Sequence, residues 1–303
     1  MRLRSVAIIV LNWNNYSETI ECLNSLEKMT YPRYEIIMVD NGSTDRSEEI
    51  IRERFPRLTI LQTGKNLGFS GGNNVGIRCA LEKEHSYILL LNNDTLVEPE
   101  FLNSMVQQAD EDPAIGLVGP RILYNEHRGI IWFAGGSLPW WRAGGFHDGF
   151  GADDNVRWRV AHDTEFLTGC ALLIRREVFS KVGFLDEDFF LYCEDVDFCY
   201  RVRKAGYRLL YDGKSTIYHR VSNATGGIMS PLSLRYTFRN RLLFAKKNLS
   251  SFQYVVAVVY VTAAVTWKGC LWALFGHLPD AIAIAAGLSD YWASRVGKIE
   301  EVA

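Results

Sequence analysis

The chain opens on an alternation of apolar runs and amphipathic segments. Residues 6–11 are uninterruptedly apolar, as in a strand buried on both faces. A helix is expected from Ser17, with Ile20, Leu23 and Leu26 on one face, stopping before Tyr31-Pro32. The apolar runs 36–39, 58–61 and 87–91 predict three more strands, and residues 64–74, rich in Gly and Asn, read as a loop leading into another helix. Strand and helix repeated in this way predict an α/β fold with a mostly parallel, doubly wound sheet.

Beyond that point the rhythm breaks. Pro99 fits the first turn of a helix running to Asp110, and residues 115–118 form another strand. Residues 134–160 carry Gly, Trp and Asp without a period and read as a long mobile loop. Residues 166–174 read as a strand and 195–204 as a helix stopped by Gly206. The runs 207–211 and 216–218 predict two further strands.

In an open parallel sheet, ligands bind outside the carboxyl ends of the strands. Here those ends are polar: Asn12-Trp13-Asn14-Asn15, Asp40-Asn41-Gly42-Ser43 and Asn92-Asn93-Asp94-Thr95. Any one of them is ordinary turn chemistry, but three on one edge of one sheet define a site. Asp94, a carboxylate flanked by amides, suits Mg²⁺ or Mn²⁺, hard cations that take a few protein oxygens and complete their shell with phosphates. Glu194-Asp195-Val196-Asp197 is a second acidic group. Part of it is explained by the preference of carboxylates for helix starts, yet the apolar residues 189–192 before it suit a carboxylate poised as a base.

The Gly-rich stretch excludes rival chemistries. It has neither the spacing of a P-loop nor that of a dinucleotide fingerprint. It does contain G-x-S-x-G at 68–72, followed in chain order by Asp195 and His219, the order of a serine hydrolase. A nucleophile elbow needs a strand running directly into its first glycine, whereas Thr63-Gly64-Lys65-Asn66 intervene here.

Composition narrows the class further. Over 303 residues, 33 Lys+Arg against 35 Asp+Glu leave a net charge of −2, so no global attraction to nucleic acid exists. Six cysteines show no C-x-x-C pair or ligand spacing, and imply a reduced, cytosolic chain without a disulfide framework or zinc. The N-terminal apolar run is too short for a signal peptide. Residues 254–267 carry no charge. The surrounding run 252–275, interrupted by Gln253 and Lys268, follows the basic residues Arg235, Arg239, Arg241, Lys246 and Lys247. With a shorter apolar patch at 281–288, it is expected to be a helical tail lying in the membrane interface, in preference to a single span or a buried core or dimerisation helix.

The ordered fragments Val-Asp-Asn-Gly-Ser-Thr-Asp at 39–45, Asn-Leu-Gly-Phe-Ser-Gly-Gly-Asn-Asn at 66–74, Leu-Asn-Asn-Asp at 91–94, Thr-Gly-Cys-Ala at 168–171 and Phe-Leu-Asp-Glu-Asp-Phe-Phe-Leu-Tyr-Cys-Glu-Asp-Val-Asp at 184–197 resemble one family. It is the family 2 inverting glycosyltransferases of GT-A fold, in the rhamnosyltransferase-like branch, over about residues 5–227. The resemblance implies a catalytic domain at 1–225, with a nucleotide-sugar half to about 110 and an acceptor half after it, and a membrane-associating region at 226–303. It implies that Asp40 recognises the nucleotide base and that Asn66 and Gly68 lie beside base and ribose, with Asn12, Asn92 and Asn93 on the same donor side. Asp94 matches the last carboxylate of the D-x-D metal motif, and His219 a histidine near the metal and diphosphate. Asn92 departs from that motif, where an Asp is usual, which keeps a catalytically silent nucleotide-sugar-binding subunit as the rival reading. Asp195 matches the catalytic base, with Glu194 as its neighbour. Gly169, Trp140 and Trp141 are placed on the acceptor side, the tryptophans as platforms for sugar faces.

The reaction so implied moves one sugar from a nucleotide sugar, dTDP-L-rhamnose by branch, to a lipid-linked or polysaccharide hydroxyl. The Q-x-x-R-W pattern of processive synthases is absent, so one sugar per encounter is expected. The place of work would be the cytoplasmic face of the membrane, contacted through residues 228–296, with an oligomer left open.

Overall fold

The computed structural model describes residues 3–221 and 230–299, so the expected boundary at 225/226 lies outside the described residues. The first half alternates as the sequence predicts: β1 (Val6–Asn12), α1 (Tyr16–Leu26), β2 (Tyr34–Asp40), α2 (Ser47–Arg54), β3 (Thr59–Gln62), α3 (Gly68–Glu82) and β4 (Tyr87–Asn92). β3, β2, β1 and β4 lie side by side and parallel, in the order 3-2-1-4. β1, β4 and the carboxyl half of β2 are buried on both faces, which is why they read as unbroken apolar runs, while the edge strand β3 is half-buried. The Gly-rich stretch is a loop only to Leu67. Gly68 already begins α3, because Gly72 and Gly76 lack the Cβ that would collide with Leu11 and Ile9, and the helix can lie directly on the sheet.

The second half extends the same sheet in mixed sense. It contributes β5 (Thr95–Val97), α4 (Phe101–Glu111), β6 (Ile115–Tyr124), β7 (Ile131–Phe133), the short pair β8 (Gly136–Ser137) and β9 (Phe146–His147), β10 (His162–Thr164) and β11 (Ala171–Arg175). Next come α5 (Arg176–Val182), α6 (Glu194–Lys204) and β12 (Arg208–His219). β11 inserts antiparallel between β4 and β6, and β12 runs parallel to β6. The two predicted runs 207–211 and 216–218 are one strand, broken in register between Asp212 and Thr216. The strand predicted from 166 starts only at Ala171. Residues 166–170 instead form a turn that lies against α6 through the Gly169 amide.

Residues 134–160 are not a mobile loop. They hold β8, β9 and two 3-10 turns, Trp140–Arg142 and Val156–Arg159. Order without periodicity comes from local bonds. The Ala134 amide donates to the Asp148 carbonyl and the Asp148 amide to that of Gly135, whose φ of +90° suits glycine. Asp154 accepts from buried Arg121 at 2.9 Å.

Three helices follow: α7 (Pro231–Asn248), α8 (Ser251–Leu274) and α9 (Leu278–Trp292). α8, with 24 residues, is the one helix among the described residues long and apolar enough to cross a membrane. It is capped by Ser250 and Gln253 in a reciprocal capping box. Only Ala257, Val261 and Val265 of it are buried, while Phe252, Val255, Val259, Trp267 and Leu274 are exposed. The basic run before it is mostly not free for headgroups. Arg235 bonds Asp290, Arg239 is fully buried, and Lys247 pairs with Asp186 and Asp188. A basic stretch in sequence is thus largely internal wiring, because the acids that neutralise it come from elsewhere in the chain.

Candidate active site

The donor-side residues meet at the carboxyl edge of the parallel strands. Register places Asn12 of β1 beside Asp40 of β2. The Asp40 carboxylate is fully buried and accepts from Asn12 Nδ2 at 3.0 Å, the Ser43 amide at 2.8 Å and Gln62 Nε2 at 3.1 Å. Asn12 Oδ1 accepts from the Thr19 hydroxyl at 2.8 Å, and Asn93 Nδ2 donates to Thr19 at 2.9 Å. Three donors on one buried carboxylate hold it in one orientation.

Asn66 and Gly68 join this edge through Asn41, a residue whose role the sequence did not single out. Asn41 accepts from the Leu67 amide at 3.0 Å and donates to Asn66 Oδ1 and the Gly68 carbonyl, while Asn66 Oδ1 accepts from the Gly68 amide at 2.8 Å. Gly68 has φ +74°, and a Cβ there would stand 2.3 Å from the Phe190 carbonyl oxygen. Only glycine lets α3 begin so close to the segment that leads into Glu194.

Asp94 and His219 are also brought together. His219 ends β12 opposite Thr95 of β5, and its Nε2 lies 3.1 Å from Asp94 Oδ1. Burial would pull this imidazole down, but the Cys170 sulfur and the Asp94 carboxylate beside it overcome that, and it sits well above its ordinary value. The Trp132 ring meets His219 edge-on, with centroids 4.5 Å apart, and closes one side. On its other side Trp132 meets His147, which burial pushes down to about 4 and so keeps neutral. No group of three or more His, Cys, Asp or Glu side chains among the described residues could hold a metal alone. The Asp94 carboxylate, with the His219 imidazole giving up its proton to an incoming cation, nevertheless fits Mg²⁺ or Mn²⁺, whose remaining positions are commonly filled by water and phosphate oxygens.

The acidic group splits by environment. Asp197 belongs to the scaffold, bound by Arg201 at 2.7 Å and Asn248 at 2.8 Å. Asp195, in the first turn of α6, accepts from the Gly169 amide at 3.0 Å and the Val196 amide at 2.8 Å. Burial raises its carboxyl above the ordinary value, and those amides partly offset the rise. Glu194 is raised well above its ordinary value, first by burial and then by the Asp195 charge, and its Oε2 has no hydrogen-bond partner among the described residues. Gly169 therefore holds Asp195 directly. A Cβ on it would come within 3.1 Å of the Phe69 ring. The carbonyl of its neighbour Cys170 accepts the Asn92 amide at 2.9 Å, so the turn at 168–170 ties Asp195 to the Asp94 strand end.

Trp140 and Trp141 lie apart from this chain of contacts. Trp141 meets Tyr260 of α8 edge-on at 4.8 Å, so that edge packs on the helical region. Ser70 is wholly buried within α3 and not raised on a strand-to-helix turn, so the serine-hydrolase reading fails.

Arg239 and Asn240 of α7 were also absent from the sequence-derived site. Phe190, Tyr192 and Cys193 hold φ of +56°, +66° and +69°, a left-handed run just before Glu194. Asn240 Nδ2 reaches the carbonyls of Phe189, Leu191 and Tyr192 at 2.9, 2.9 and 2.7 Å, and Arg239 fixes Asn240 through a 2.8 Å bond to its Oδ1. The only sequence signal was an Arg-Asn pair among apolar helix positions.

The parallel 3-2-1-4 sheet with its polar edge at Asn12 and Asp40, extended in mixed sense by β11, β6 and β12, is a fold of the GT-A type. Residues 5–183 match Glycosyl transferase family 2, and the chain belongs to that family: it is a glycosyltransferase. It is 29% identical over 223 residues to N-acetylglucosaminyl-diphospho-decaprenol L-rhamnosyltransferase of Mycobacterium tuberculosis, covering 67% of this chain and 72% of that protein. Its fold is similar to the mannosyltransferase PcManGT from Pyrobaculum calidifontis, solved with GDP-Man and Mn²⁺, at a TM-score of 0.63 and 15% identity over 96% of this chain and 88% of that one. It is also similar to GalNAc-T7, solved with UDP, GalNAc and Mn²⁺, at a TM-score of 0.59 and 18% identity, covering 72% of this chain but 43% of that one.

Proposed function

We propose that this glycosyltransferase is metal-dependent and inverting, and moves one sugar from a nucleotide sugar, dTDP-L-rhamnose by branch, to a hydroxyl of a lipid-linked or polysaccharide acceptor. The observation that carries the reading is the Asp195 carboxylate, pinned by the Gly169 amide in an environment that raises its basicity. Asp195 takes the acceptor's hydroxyl proton while that oxygen bonds to the anomeric carbon and the bond to the diphosphate oxygen breaks. Attack opposite the leaving group inverts the configuration. Asp40, Asn12, Asn66 and Gly68 hold the nucleotide, with Asn92 and Asn93 beside them. Asp94 and His219 would hold Mg²⁺ or Mn²⁺, which when bound neutralises charge on the departing diphosphate.

The name of the mycobacterial relative supports a diphospho-lipid acceptor, and the exposed apolar face of α8 supports work at a membrane surface, on its cytoplasmic side. In this reading residues 228–296 contact the membrane and one sugar is added per encounter. The test incubates the protein with a panel of nucleotide sugars and lipid-diphosphate or free glycan acceptors, with Mg²⁺, Mn²⁺ or chelator. A glycosylated product of inverted anomeric configuration, formed only with metal, is expected. Donor hydrolysis without transfer to any acceptor, or a retained configuration, would overturn the reading.

A further inference from the structure

Two arginines stand where the catalytic unit meets the apolar helices, and neither has a carboxylate partner among the described residues. Arg241 of α7 donates from Nε, at 3.0 Å, and from Nη2 to the carbonyl of Arg142, the last residue of the Trp140–Arg142 turn. Its Nη1 makes no hydrogen bond to the described residues. The stem lies over Gly144, where a Cβ would already be 3.4 Å from Nε. Arg142 stacks its guanidinium 3.6 Å above the Phe146 ring, and its Nε is buried without a partner. Two other cations of α7 are different, and a third, buried Arg239, is taken up by Asn240 and backbone carbonyls. Arg235 and Lys247 are paired with Asp290 and with Asp186 and Asp188.

Two guanidiniums held together without an acid repel each other, and burial with the Arg142 charge brings Arg241 below its ordinary value. An arrangement of this kind is completed by an anion. The planar forks of two arginines match phosphate oxygens in particular. The surroundings say which phosphate. On one side, Asn240, the residue before Arg241, holds the Leu191 and Tyr192 carbonyls of the segment that leads into Glu194 and Asp195. On the other, the turn carrying Arg142 packs on α8 through Trp141 and Tyr260. An open apolar groove of about 820 Å³ runs on α8 and α9 between Val259, Ala263, Trp267 and Trp292. A phosphate here would lie between the segment that carries Glu194 and Asp195 and the helix whose groove offers a place for a hydrocarbon chain.

We propose that Arg142 and Arg241 bind the phosphate group of the lipid-linked acceptor, with its hydrocarbon chain along the α8–α9 groove. The proposal rests on the lipid-acceptor reading above and adds the residues that recognise that acceptor. It also gives the Trp140–Trp141 turn a role, since that turn carries Arg142 and packs on the helix that would face the lipid.

The test compares binding of farnesyl diphosphate and farnesol to the full chain in EDTA, which removes metal-assisted binding of diphosphate beside Asp94. Wild-type protein is expected to prefer the diphosphate by about tenfold or more. Arg142→Gln and Arg241→Gln are each expected to abolish that preference and leave farnesol affinity unchanged. If Arg241→Gln fails to fold, Arg142→Gln, on a surface turn, decides alone. A wild-type protein without the preference, a variant that keeps it, or a variant that loses farnesol equally would overturn the proposal. Flotation with phosphatidylglycerol and phosphatidylcholine vesicles separates the second source of phosphate. Equal binding of wild type and Arg142→Gln to both is expected, whereas a loss confined to phosphatidylglycerol would assign the arginines to bulk headgroups. Arginine-dependent binding of farnesyl diphosphate in a protein that transfers no sugar to lipid acceptors would sink the functional reading and leave this site standing. Transfer to lipid acceptors that ignores both substitutions would do the reverse.

Discussion

His219 Nε2 lies 3.1 Å from Asp94 Oδ1, joining the end of the last strand to the loop after β4. Both side chains are nearly enclosed, and the Trp132 ring closes one side of the pair. Asn92, standing where a second carboxylate would strengthen a cation site, leaves Asp94 as the main source of charge. Asp94→Asn should therefore remove most of the gain in nucleoside diphosphate affinity that Mn²⁺ brings, a loss of about 10–100-fold. His219→Gln should remove a smaller part. Titrating nucleotide with and without Mn²⁺ checks both, and an undiminished Mn²⁺ effect in Asp94→Asn would refute the assignment.

The base should separate from binding. Asp195→Asn keeps the size of the side chain and its bond from the Gly169 amide, but it cannot take a proton. Transfer should fall by about 10²–10⁴-fold while donor affinity stays within a factor of about two. Single-turnover rates beside donor titration make the comparison, and parallel losses would mean that Asp195 positions the donor instead.

Burial raises the Asp195 carboxyl, so the acidic limb of the transfer rate should lie above the range of an ordinary carboxylate. The sign for stability is separate. The folded state holds the Glu194 proton more tightly than the unfolded chain does, because the ionised form is buried and stands beside the Asp195 charge. Its contribution is present below the unfolded value and is lost as pH rises through the higher folded value. Glu194→Gln should thus gain melting temperature over wild type as pH rises through that window and show no gain at lower pH. Parallel melting curves of the two proteins against pH would argue against a buried, raised Glu194.

The parallel half was legible because buried parallel strands are unbroken apolar runs and their polar ends fall on one edge. Register alone sets Asn12 beside Asp40, and Asn93, one residue past the end of β4, donates to Asn12 from the turn. The second half hid its order in short bonds that have no period. Gly135 and the Arg121–Asp154 pair fix residues 134–160 without any apolar repeat. The basic run before α8 misled for a related reason. Charge along a sequence says nothing of the acids, such as Asp290, Asp186 and Asp188, that folding brings opposite. Asn240 was invisible because its partners are backbone carbonyls, which leave no mark in composition.

Asn240 gives the last test. Left-handed φ values at Phe190, Tyr192 and Cys193 each cost about 1–3 kcal/mol, and something must hold them. One amide nitrogen with two N–H groups spans three carbonyls of that segment, and buried Arg239 keeps it aimed by occupying its oxygen. Asn240→Ala leaves those carbonyls short of donors and should lower stability by about 1–3 kcal/mol. Asn240→Asp should be worse, since it sets a second acceptor against them. A merely structural role would stop there. If α7 positions the base, Asn240→Ala protein that remains folded should lose kcat by about tenfold or more with little change in donor KM, because the donor edge at Asp40 is untouched. The acidic limb of its rate profile should also move, since Asp195 sits in the turn that this segment delivers. An unchanged kcat and pH profile in a destabilised but folded variant would reduce Asn240 to a structural bond.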